Sequence, residues 1–185
     1  MNPILAAASL ALFFALLAAF VYVLRRAARV VADTREDETF RQDGAALCDR
    51  AAAAFGEAGE RIDRVRRRQD APTALDEVLP AVQQAVEELH GEAGALAPPE
   101  TLEPVRARLV EELERAGRAI EVVAHGCILM GVTAGRPREL EGETSVKRGY
   151  LNLLHAREAL VTLAVDLRSG HTGGPRWFSE RPRAG

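Results

Sequence analysis

Lysine is almost missing from this chain: Lys147 is the only one, and arginine carries the rest of the positive charge. That skew reads first as the codon bias of a GC-rich bacterial genome. Cysteine is scarce too. Cys48 and Cys127 are the only two, too few for a disulfide framework and too far apart for a Cys-x-x-Cys motif, so two buried thiols in a reducing compartment are expected. Aromatic residues make up 5% of the chain, against 48% hydrophobic and 28% charged residues. With Ala, Leu, Glu and Arg dominating, that is the composition of a helical bundle. The formal net charge of -3 and the pI near 5.9 argue against a nucleic-acid-binding surface. There is no Gly-rich phosphate loop, no Gly-x-Ser-x-Gly elbow, no His-Glu-x-x-His and no kinase-type signature. A non-enzymatic protein without a cofactor is therefore expected.

What the chain does have is Ile4 to Leu24, an uncharged run of about 21 residues, enough for one α-helix to cross a bilayer core of roughly 30 Å. A cleavable signal peptide needs a basic start, a shorter apolar centre and a small-residue cleavage site. Here the start is Met1-Asn2-Pro3, and the run ends in bulky residues before Arg25, Arg26 and Arg29. An uncleaved anchor is expected, and the three arginines orient it with the body in the cytoplasm. The opposite orientation, with the body outside the cell, is the alternative, because some long domains translocate despite the charge bias. Tyr22 suits the membrane interface beside the arginines.

Roughly 155 residues follow, the size of one domain. Apolar positions recur every three or four residues in four segments, the period of a helix face. The first spans about Asp33 to Gln69. Its glycines, Gly44, Gly56 and Gly59, each cost about 1 kcal/mol of helix propensity relative to Ala, which points to a bend or to close packing. Asp70 to Thr73 forms a turn with Asp70 or Thr73 as cap. A second helix carries Leu75, Leu79, Val82, Val86, Leu89 and Ala93, either kinked at Pro80 or starting near it. After Ala97-Pro98-Pro99, a third helix from about Glu100 loses its polar face beyond Val122, in VVAHGCILMGVTAG. A helix apolar all round is covered by protein or lipid, and this end is too short and too rich in glycine to be a second span. The last helix starts between Leu140 and Val146, with Glu143-Thr144-Ser145 offering capping hydroxyls, and stops at Ser169-Gly170.

Few residues suggest chemistry. Glu87-x-x-His90 resembles half of the carboxylate-histidine pattern of di-iron bundle proteins, which need a second such pair. The chain has none, and the helical phase turns Glu87 toward solvent. The same phase sets His155 outside the last helix's apolar stripe and Arg157 within it. A charge in that position needs a carboxylate, a helix-end carbonyl or a route to the surface. Arg61, Arg64, Arg66, Arg67 and Arg68 are interleaved with acids and read as a solvated face that complements the helix-end dipole. From His171 onward the composition is that of a disordered tail, in which Trp177 and Phe178 form a candidate docking point.

The expected protein is all-α, with one N-terminal transmembrane helix followed by an antiparallel bundle of about four helices. Residues 1-29 are the anchor and basic flank, 30-169 the bundle and 170-185 the tail. Its expected role is a membrane-tethered scaffold or interaction module at the cytoplasmic face, with the bilayer and either a protein partner or a second copy as its contacts and no nucleic acid. A bundle sensing a small ligand is the alternative, and a metal-dependent bundle enzyme ranks below both.

Overall fold

The computed structural model describes residues 3–132 and 137–170; the side chains of 3–16, 18–19, 27–33, 132 and 137 lie outside that description. Every regular element within these residues is helical. Helix α1 runs Pro3–Arg66, followed by a 3-10 turn at Pro72–Leu75, α2 at Val78–Ala95, a second 3-10 turn at Glu100–Leu102, α3 at Glu103–Val132 and α4 at Pro137–Ser169. The chain divides into two compact units, residues 1–39 and 40–185, with the boundary about ten residues beyond the basic flank where composition suggested it. α1 contributes to both.

In the first unit, Leu17 and Phe20 to Leu24 are all exposed, from 41% at Val21 to 65% at Tyr22. Successive helical residues differ by about 100°, so the five consecutive side chains from Phe20 to Leu24 point in every direction around the helix. Arg25 and Arg26 follow them and are exposed as well. Among the described residues no helix is long and apolar enough to cross a membrane. Most side chains of the Ile4 to Leu24 run, the Arg29 side chain, and Trp177 and Phe178 lie outside the described residues.

The second unit is an antiparallel helical bundle. Gly44 faces Leu167, Gly56 faces Arg157 and Gly59 faces Leu154, so α4 descends as α1 ascends. Gly126 meets Gly142 and Val146, and Gly149 meets Ala119 and Val123, which pairs α3 with α4. α2 joins the ring by packing Val86 against Gly117 of α3 and by pairing Glu92 with Arg50 of α1. The periodic residues of all four segments meet inside, with Phe55, Leu113, Val123 and Leu160 fully buried. The glycines of α1 are thus sites of close packing: a Cβ on Gly44 or Gly56 would stand 3.2 Å from a side-chain atom of α4.

Several boundaries differ from the sequence expectation. α1 ends at Arg66 rather than near Gln69, because Arg68 takes a left-handed conformation, φ 59°, and the amides of Arg67, Arg68 and Gln69 bond back to Asp63, Val65 and Arg64. Asp70 caps nothing. Its carboxylate accepts from Arg64 Nε at 2.9 Å, and Ala71 and Glu77 stand at the two cap positions without side-chain bonds. Pro80 is the third residue of α2, where no intrahelical amide bond is lost, so it starts the helix and does not interrupt it. α4 begins earlier than the hydroxyl cluster suggested, at Pro137, whose ring presets a helical φ. Thr144 instead bonds back to the Leu140 carbonyl at 2.8 Å, inside the helix.

Candidate functional site

The sequence-expected polar residues disperse across the bundle. Glu87 stands 3.5 Å from Gln83 Nε2, while His90 Nε2 lies 3.6 Å from Glu114 Oε1 on α3. The two members of the Glu-x-x-His pair thus serve different partners. Among the described residues no three His, Cys, Asp or Glu side chains converge as metal ligands. His155 is exposed, as its phase required. Arg157 is exposed too, and it resolves its position on the apolar stripe by crossing to α1, where Nε donates to the Ala52 carbonyl at 3.1 Å. That acceptor is a mid-helix carbonyl, and neither a carboxylate nor a helix end is used. The missing side chain of Gly56 makes the approach possible, since a Cβ there would sit 3.2 Å from Arg157 Nε. The arginine cluster at the end of α1 is partly a tether. Arg68 pairs with Glu143 of α4, and the Arg66 guanidinium lies 5.2 Å over the Tyr150 ring.

Cys48 and Cys127 are free thiols, both buried. Burial pushes the Cys48 thiol up to about 12 and the Cys127 thiol up to about 11, with the Asp76 carboxylate adding to the second. Neither is an activated nucleophile.

The clefts between the described helices include two of contrasting chemistry. The first, about 550 Å³, is polar and lies between α3 and α4, lined by Arg108, Glu111, Glu112, Arg115, His155, Glu158, Ala159 and Thr162. Glu112 is 6% exposed and accepts from Arg115 at 3.0 Å. Loss of solvent nevertheless raises its carboxyl above the ordinary value, outweighing Arg115. A carboxyl raised on folding contributes stability below its ordinary value of 4.5, and that contribution is lost as pH rises through the folded-state value. Glu112→Gln is therefore expected to raise the melting temperature at pH 7 and to leave it unchanged at pH 4. An equal difference at both pH values would show that charge burial is not the cause.

The second cleft is apolar, about 690 Å³, and runs between the Pro72–Leu75 turn with α2 on one side and the C-terminal half of α3 on the other. Leu75, Leu79, Ile120, Ala124, Cys127 and Ile128 line it, and Asp76, Glu87 and Glu121 stand among them. Pro72, Pro80 and Gly131 complete the wall with little side-chain bulk. Ile128 is 62% exposed. The end of α3 that turns apolar all round is thus only partly covered: Val123 and Cys127 are buried in the bundle, and Ile128 is not. Gln83 carries the one buried side-chain oxygen without a hydrogen-bond partner among the described residues, and it lines this groove. No sequence signal marked Gln83 or Asp76, because only the packing of the turn against α3 brings them to α3.

Fold and site together define an antiparallel α-helical bundle with an open, acid-edged apolar groove. Comparison with known protein families, with curated proteins and with solved structures gave no match.

Proposed function

We propose that this protein is a membrane-tethered helical interaction module, anchored by the Ile4 to Leu24 helix and presenting its bundle to a protein partner at the cytoplasmic face. The observation that carries the reading is the ring of exposed apolar side chains from Phe20 to Leu24, edged by Arg25 and Arg26. Five consecutive bulky residues facing all directions cannot be covered by one neighbouring helix, and lipid solvates such a surface on every side. The arginines favour the cytoplasmic leaflet. Attachment confines the bundle to a surface, and its groove offers a partner apolar contact.

The test is fractionation of the full chain carrying a C-terminal tag. It is expected to stay in the membrane pellet after an alkaline carbonate wash, with the tag digested by protease only once the cells are permeabilised. Release by carbonate would overturn the anchor, and digestion in intact cells would overturn the orientation. A small-ligand sensor is the second reading, favoured by the groove volume of about 690 Å³, which lies within the range of small-molecule pockets.

A further inference from the structure

We infer that the groove between α2 and α3 is the docking site for a cationic amphipathic helix of a partner protein; this rests on the interaction-module reading and specifies its partner. Elsewhere on the bundle some acids are matched by arginines, Glu92 by Arg50, Asp63 by Arg66 and Arg67, Glu143 by Arg68, Asp49 by Arg168, and others, such as Glu57, Glu60 and Glu77, stand at the surface without an ion pair. The groove is set apart by having no basic side chain in its wall. Its lining holds three carboxylates, Asp76, Glu87 and Glu121, and no Lys, Arg or His, and none of the three has an ion pair among those of the described residues. α2 contains no lysine or arginine at all, and α3 has none beyond Arg118. An apolar floor edged by unneutralised carboxylates complements a surface that is apolar in the middle and basic at its margins.

Shape then selects a helix. A shallower continuation of about 380 Å³ shares Gln83, Glu87 and Glu121 with the groove and extends it to Gly117. From Gly117 to Gly131 the trough follows α3 for about 20 Å at 1.5 Å per residue, close to four turns of a docked helix. Such a helix reads a groove through apolar anchors at i, i+3 or i+4, and i+7. Ile120, Ala124, Cys127, Ile128 and Gly131 present the matching spacing along α3. The two basic side chains in the continuation, Arg118 and His90, both lie against Glu114.

The test uses the full chain in nanodiscs of zwitterionic lipid, which do not attract a basic peptide. The probe is a labelled 14-residue Leu/Lys peptide with leucines on one helical face, compared with a Leu/Glu peptide of the same pattern and with a Leu/Lys peptide of scrambled order. Saturable binding of the patterned Leu/Lys peptide is expected by fluorescence anisotropy, with the other two at least tenfold weaker. Ile128→Asp, at an exposed position that folding does not depend on, should weaken binding at least tenfold. Asp76→Asn with Glu121→Gln should weaken it several-fold and flatten its salt dependence. Equal binding to wild type and Ile128→Asp, or equal affinity for the acidic peptide, would each overturn the assignment. So would the absence of saturable binding by the patterned Leu/Lys peptide. If the chain fractionates as an anchored protein and still recovers a partner that Ile128→Asp does not disturb, the interaction-module reading stands and this docking site does not.

Discussion

Phe55→Ala is expected to destabilise the bundle by about 4 kcal/mol, within the usual 3–5 kcal/mol for deleting a buried aromatic ring. The ring is 0% exposed, and its neighbours along the inner face of α1 are small: Cys48, Ala51, Ala52 and Ala58 are all buried. The cost of a cavity depends on how far the surroundings can collapse into it. Alanines have no length with which to follow a shrinking side chain, so the space left by the ring stays open. The midpoint of chemical denaturation, followed by helical circular dichroism on the full chain in detergent, measures the loss. Phe55→Leu keeps most of the volume and should lose less than half as much. Matching losses for the two variants would mean that the ring's volume is not what the core depends on.

Gly149→Ala comes next, at about 3 kcal/mol. A Cβ there would sit 2.5 Å from Val123 Cγ2 and 2.7 Å from the Ala119 carbonyl oxygen. A side-chain methyl can turn aside, but the carbonyl belongs to the α3 backbone and moves only if the helices separate. Overpacking of this kind costs about 1–3 kcal/mol, occasionally more, and it overrides the gain of about 1 kcal/mol that alanine brings to a helix interior. Gly126 is built the same way, with the Gly142 carbonyl oxygen at 2.7 Å and the Val146 amide nitrogen at 2.9 Å. Gly91 is the control. Nothing lies within 4 Å of its Cβ position, so Gly91→Ala should raise stability by about 0.5–1 kcal/mol. Opposite signs at the two glycines would confirm backbone contact between α3 and α4. A gain at both would falsify it.

Gly91, Gly126 and Gly149 look alike in the sequence, each a glycine inside an apolar-periodic segment. Only the register of α3 on α4 separates the two that are needed from the one that is not. The groove has the same history. That VVAHGCILMGVTAG loses its polar face was legible from residue types. Which side of it remained open was not, because coverage is decided by where the Pro72–Leu75 turn and α2 settle. Arg157 could be assigned to the apolar stripe from its phase, yet its acceptor, the Ala52 carbonyl, required Gly56 to be opposite it.

By itself the sequence determined the all-helical class, the four periodic segments with most of their buried positions, and the uncharged run of Ile4 to Leu24. These follow from intervals of three and four residues and from composition, which act along the chain. The tertiary structure alone decided the close approach of α3 and α4, the buried carboxyl of Glu112, the cross-bundle bond of Arg157 and the acid-edged groove. Each depends on distances between residues remote in sequence, and no local pattern encodes those distances.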